Sequence, residues 1–138
     1  MIESYGWGGY TATVMARTLV GIQSFDDDAK RDVKLHYGKG TTPNGFGRGN
    51  YEGTGKMSVN MDEYEKLVVA ATPYGGDVTM LPPFPVVGIL EKSDGKKFKE
   101  LYPQVLIEKR GKKRKQGDTE FVVDLDIKLL MPCVETPL

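Results

Sequence analysis

Residues 120–129 read Glu-Phe-Val-Val-Asp-Leu-Asp-Ile-Lys-Leu, with Phe121, Val123, Leu125, Ile127 and Leu129 at every second position and Asp124, Asp126 and Lys128 between them. Side chains alternate across a strand but repeat every 3.6 residues around a helix, so the pattern predicts a strand with one buried and one wet face. Such a strand needs partners along its edges and a cover for its apolar face. The rest of the chain must therefore supply a sheet.

Further segments fit that demand. Residues 10–25 combine Val14, Leu19, Val20, Ile22 and Phe25 with Thr11, Thr13 and Thr18, a composition suited to a pleated surface, with Gly21 marking a bulge or bend. Asp26-Asp27-Asp28 reads as a turn, and Asp32 to Tyr37 alternates again. Residues 38–55 carry glycines at 38, 40, 45, 47, 49, 53 and 55 with Pro43 and Asn44 and no apolar period, which reads as a long loop, functional or ordered by a partner. Met57, Val59 and Met61 then alternate before a helix over about 62–72, with Asp62 as N-cap, Glu65 in a capping-box position and Tyr64, Leu67, Val68 and Ala71 on one face. Pro73 and Gly75-Gly76 end it. Residues 80–85 are proline-rich and extended, 86–91 form a strand, Ser93-Asp94-Gly95 a turn, and 98–109 a strand broken at Pro103. The run Lys109, Arg110, Lys112, Lys113, Arg114, Lys115 reads as a charged hairpin loop. The expected fold is mainly β: an antiparallel sandwich or barrel of about six or seven strands with one short helix, formed by a single domain over residues 1–138.

Composition removes several classes of function. At 39% hydrophobic and 28% charged the chain is neither disordered nor membrane-like, and no apolar run approaches the roughly 20 residues of a spanning helix. The first nine residues lack a basic stretch followed by an apolar one, so no secretory signal is expected and a cytoplasmic site of synthesis and residence is. One cysteine, Cys133, and one histidine, His36, give neither an internal disulfide nor a zinc cluster. Nineteen basic and nineteen acidic residues leave no overall bias toward nucleic acid.

The chemistry-bearing candidates are weak. His36 alternates along a strand with no serine or cysteine motif nearby and reads as an edge or surface histidine. Asp26-Asp27-Asp28 lacks the glycine and distal glutamate of a calcium loop. Gly45-Phe46-Gly47-Arg48-Gly49 leads into a strand, where a phosphate loop opens a helix. The basic run over 109–115 lacks the interleaved aromatics of a nucleic-acid platform, so a solvated tip or a protein contact is favoured over phosphate binding. No enzyme, cofactor or metal is expected.

The order of these phrases resembles bacteriophage tail tube proteins of contractile and related tails, whose fold is shared with the tube protein of type VI secretion. The resemblance spans most of the chain: the aspartate-rich segment, Asn44-Gly45-Phe46-Gly47-Arg48-Gly49-Asn50-Tyr51-Glu52-Gly53 leading into Thr54-Gly55-Lys56-Met57-Ser58-Val59, the helix from Asp62, Asp77 through Val87, and the last hairpin with Gln116-Gly117-Asp118. The basic run before Gln116 is heavier than the family pattern.

That resemblance implies a subunit of hexameric rings stacked into a tube, a conduit for DNA and the tape-measure protein. It implies a virion tail assembled in a bacterial cytoplasm, with sheath, tape-measure and baseplate proteins as partners and DNA as non-specific passing cargo. Asp124, Asp126 and Lys128 would then line the lumen. The N-terminal arm 1–9 and residues 38–51 of the long loop would order against neighbouring subunits, with Arg48, Asn50 and Tyr51 as contacts. The rival readings are a type VI-like tube and a small nucleic-acid-binding β-barrel using the basic run.

Overall fold

The computed structural model describes residues 6–14, 17–19, 22–117 and 121–138. The strands are β1 (Tyr10–Val14), β2 (Arg17–Leu19), β3 (Ile22–Tyr37), β4 (Pro43–Asn60), β5 (Phe84–Glu91), β6 (Lys97–Lys113), β7 (Val122–Leu129) and β8 (Val134–Pro137), with α1 (Met61–Ala70) between β4 and β5. All the pairings are antiparallel, and they build one curled half-barrel sheet in the order β2-β1-β5-β6-β7-β4-β3, with β8 beside β6. The mainly β fold with one helix is as the sequence predicts.

The core occupies one face of this sheet. Met57 and Val59 of β4 pair with Leu125 and Val123 of β7, and Val105 and Ile107 of β6 pair with Leu129 and Ile127. All eight are buried, and α1 covers them with Tyr64, Leu67 and the following Ala71. Each such aliphatic side chain contributes about 1.5–3 kcal/mol by leaving water. Phe121 ends outside β7 and 41% exposed, so the stripe read from the sequence is four residues long at its buried end.

Helix α1 begins slightly earlier than expected. Asn60, not Asp62, is the N-cap, its Oδ1 accepting from the Glu63 amide at 3.0 Å. Strand β7 sets the point, because the Met61 amide donates to the Phe121 carbonyl and so ends the β4 ladder there. Glu63 thereby takes the third helical position, the one whose amide the cap satisfies. A 3-10 turn at Thr72–Tyr74 and left-handed Gly75 (φ 82°) and Gly76 (φ 75°) end the helix where Pro73 and the glycines predict.

Four expectations fail for identifiable reasons. Residues 10–25 are not one strand: β1 folds back on β2 with Ala12 opposite Leu19 and Val14 opposite Arg17, while Gly21 lies outside the described residues. Asp26-Asp27-Asp28 is not a turn but lies inside β3, paired with Lys56, Gly55 and Thr54. Residues 43–55 of the expected glycine loop belong to β4. Pro103 does not break β6, because it falls at the irregular register between Phe84 and Val86 of β5, where a missing amide is tolerated.

Candidate assembly surfaces

Three surfaces carry the residues singled out by the sequence. The first is the outer half of the β3–β4 hairpin. Pairing of β4 with β7 starts only at Gly53, whereas pairing with β3 continues to Tyr37 opposite Pro43. Ten residues of β4 (43–52) therefore run beyond the sheet with β3 as their partner, an arm of roughly 30 Å at strand rise.

The arm has two unlike faces. Asp32, Lys34 and His36 lie across from glycines: a Cβ at Gly47 would sit 3.3 Å from the His36 Nε2, and one at Gly49 would sit 3.1 Å from the Asp32 Cβ. The every-second-residue spacing of Gly45, Gly47 and Gly49 thus clears one face of β4 for the side chains of β3. On the other face Val33, Leu35, Tyr37 and Phe46 stand exposed, Leu35 opposite Phe46. A register shift between Arg31 and Val33 brings Phe46 and Arg48 to this side. The Arg48 guanidinium lies 5.1 Å from the Phe46 ring centre.

Tyr51 marks the boundary between arm and body. Its ring folds back over Gly53, where a Cβ would fall 2.4 Å from the Tyr51 hydroxyl, and Arg31 lies 5.4 Å from the ring centre. The hydroxyl is buried without a hydrogen-bond partner among the described residues, and burial raises its pKa above the ordinary tyrosine value. Asn50 is exposed within the shifted register. Arg48 and Asn50 thus belong to the arm and Tyr51 to its root.

The second surface is the sheet face opposite the core. Asp124, Asp126 and Lys128 meet residues of three other strands there. Asp126 pairs with Lys56, which pairs with Asp26 on its other side; Lys109 pairs with Asp126 from β6. The row above is Ser24, Ser58 and Asp124, with the Ser58 hydroxyl donating to Asp124 Oδ1 at 2.6 Å. The row below is Asp28, Thr54 and Lys128, and the Lys128 Nζ stands 3.8 Å from Glu108. Asp26 and Asp28, absent from the sequence-derived set, belong to it because β3 runs straight through them.

The third surface is the basic run, which is not a loop over 109–115. Strand β6 extends to Lys113, and a register shift between Ile107 and Lys109 divides its charges. Lys109 joins the polar face. Arg110 Nη1 donates to the Tyr64 hydroxyl at 3.0 Å, which raises the arginine pKa further, and Lys112 Nζ lies 5.1 Å from the Tyr64 ring centre. Both clasp the helix. Lys113 pairs in register with Val122, and Arg114 and Lys115 follow the strand as exposed residues.

The N-terminal arm folds in part against its own sheet. Trp7–Gly9 forms a 3-10 turn, Trp7 stacks on Tyr10 at 5.2 Å, and a Cβ at Gly9 would lie 2.0 Å from the Glu91 carbonyl oxygen. Residues 1–5 of the arm lie outside the described residues. Among the described residues no three His, Cys, Asp or Glu side chains converge as a metal site would require, and no helix is long and apolar enough to cross a membrane.

This architecture has close counterparts among solved structures. A chain in the cryo-EM structure of the anti-feeding prophage (AFP) tube terminating cap superposes with a TM-score of 0.69 at 10% identity, covering 100% of this chain and 94% of that one. A chain of the PVC extracellular contractile injection system sheath-tube complex, in the extended state, gives 0.67 at 7% identity, covering 98% and 93%. The chain has a phage-like tail tube fold. A chain from the virion of a native gene transfer agent (GTA) particle superposes with a TM-score of 0.59 at 8% identity, covering 96% and 99%. No protein-family profile and no curated protein sequence matches the chain. The likeness is therefore one of fold, with at most a tenth of the sequence shared with these three chains.

Proposed function

We propose that this chain is a structural tube subunit of a phage tail or phage-like particle, self-associating into hexameric rings that stack into a conduit. The observation that carries the reading is the arm: a two-stranded ribbon with Val33, Leu35, Tyr37 and Phe46 in water on one side. An isolated two-stranded ribbon is marginal in water, and such an apolar row favours a partner surface. The open edges of the half-barrel give neighbouring copies further places to pair. Sheath, baseplate and tape-measure proteins are the expected partners, and the virion tail, assembled in a bacterial cytoplasm, the expected location.

The polar face of β3, β4, β6 and β7 is the proposed conduit wall, and the reading that the wall lets DNA pass rests on its composition. Asp124 and Asp126 are joined there by Asp26, Asp28 and Glu108, with Lys56, Lys109 and Lys128 interleaved, so the wall is mixed in charge with acidic residues in excess. A wall of that kind repels phosphate weakly and binds it poorly. A type VI-like tube fits the same architecture. The nucleic-acid reading of the basic run has less support, since Arg110 and Lys112 are engaged by Tyr64.

Light scattering across a concentration series tests self-association, with a Leu35→Asp/Phe46→Asp variant as control. Concentration-dependent growth in mass, lost in the folded variant, is the expected result. A wild-type monomer that instead binds DNA with steep salt dependence would favour the basic-run reading.

A further inference from the structure

At the open end of the half-barrel, the turn Trp7–Gly9 and β1 approach β3 across a hollow of about 280 Å³, lined by Trp7, Tyr10, Phe25, Leu90, Asp27 and Glu100. Asp27 reaches it because β3 alternates: Asp26 and Asp28 point to the polar face and Phe25 and Asp27 to the core side. Neither Asp27 nor Glu100 has a cationic partner within ion-pair distance among the described residues; Glu100 accepts from the Tyr102 hydroxyl. The Tyr10 hydroxyl is buried with no partner there. Burial first, then the charges of Glu100 and Asp27, push its pKa well above the ordinary tyrosine value.

Aromatic walls with two carboxylates are the chemistry that holds an organic cation: the rings supply the π faces and the carboxylates the counter-charge. The same chain carries the complement. Residues 29–52, the projecting arm and its root, hold Lys30, Arg31, Lys34, Lys39 and Arg48 against only Asp32 and Glu52. Arg48 stands on the exposed apolar face, stacked on Phe46. We infer that the hollow beside Trp7 receives a guanidinium from the projecting arm of a second copy of this chain, Arg48 being the group presented. The inference rests on the self-association reading and names one of its contacts: the arm's apolar row gives area, and the cation in the aromatic hollow gives register.

Charge exchange tests it in the full-length protein. Sedimentation velocity on Asp27→Lys and on Arg48→Asp is expected to show association weakened at least tenfold in each, and recovered to within about threefold in the chain carrying both changes. Two single effects with no recovery, or no single effect while the wild type associates, would overturn the inference and leave self-association standing. Trp7 is the only tryptophan in the chain, so its emission reports directly on the hollow. If the wild type remains monomeric, arginine amide serves as the probe at constant ionic strength. A saturable change in Trp7 emission, weakened at least tenfold by Asp27→Asn with Glu100→Gln, would support the cation site while refuting self-association. No saturable change would overturn both.

Discussion

The two halves of β4 have the same partner and opposite fates. From Gly53 to Asn60 the strand lies between β3 and β7, with Met57 and Val59 in the core; from Pro43 outward to Glu52 it pairs with β3 alone and Phe46 stands 60% exposed. Pairing with β3 runs through both, with one register irregularity in the inner half and two in the outer. What separates them is a third strand and a helix to cover the apolar side, so backbone pairing alone does not determine where the domain ends. The inner half is part of the core, and the outer half is an exposed ribbon.

The widest gap between the halves is expected in amide hydrogen exchange. Core amides open only with global unfolding, commonly worth 5 kcal/mol or more, so amides of residues 55–59 should exchange at least about a thousandfold more slowly than those of 44–48 in the unassembled protein. Equal protection would mean that the arm is already covered. Next, Leu125→Ala, beneath α1, should cost about 2–5 kcal/mol in urea unfolding. Tyr64→Phe, which removes the acceptor for Arg110, should cost about 1 kcal/mol.

A smaller effect belongs to the boundary. Cys133 is held protonated to about pH 11, by burial first and then by Glu100, Glu135 and Asp27. Between its ordinary value near 9 and 11 the unfolded chain has lost a proton that the folded chain keeps, so this group makes stability fall as pH rises. Thermal melts of wild type and Cys133→Ser should accordingly converge across that window, and a constant difference would contradict the assignment. The smallest change is expected from Leu35→Asp on the arm, within about 0.5 kcal/mol of wild type in the unassembled state. A loss comparable to that of Leu125→Ala would make the arm part of the core and erase the contrast between the halves.

The inner half was largely legible in the sequence, because burial on one face writes a period of two. Val123 to Leu129 alternate without exception, and Tyr64, Leu67 and Ala71 recur at helical spacing. The outer half was not, because a ribbon exposed on both faces is under no such constraint. Its glycines at 45, 47 and 49 read as loop punctuation, although their every-second-residue spacing was itself a strand signal. Asp26-Asp27-Asp28 read as a turn for a related reason: the alternation was present, but all three positions were filled with one residue type. The division of the basic run depends on a register shift between Ile107 and Lys109, which leaves no mark in composition. Arg48 and Asn50 lie on the outer half of β4 and Tyr51 at the rim of the body, where Gly53 makes room for the ring.

Negative-stain electron microscopy of the concentrated wild-type protein tests the central claim most directly. Hollow rings or tubes of stacked rings are the predicted result; discrete monomers at the highest attainable concentration, with the arm intact, would contradict it.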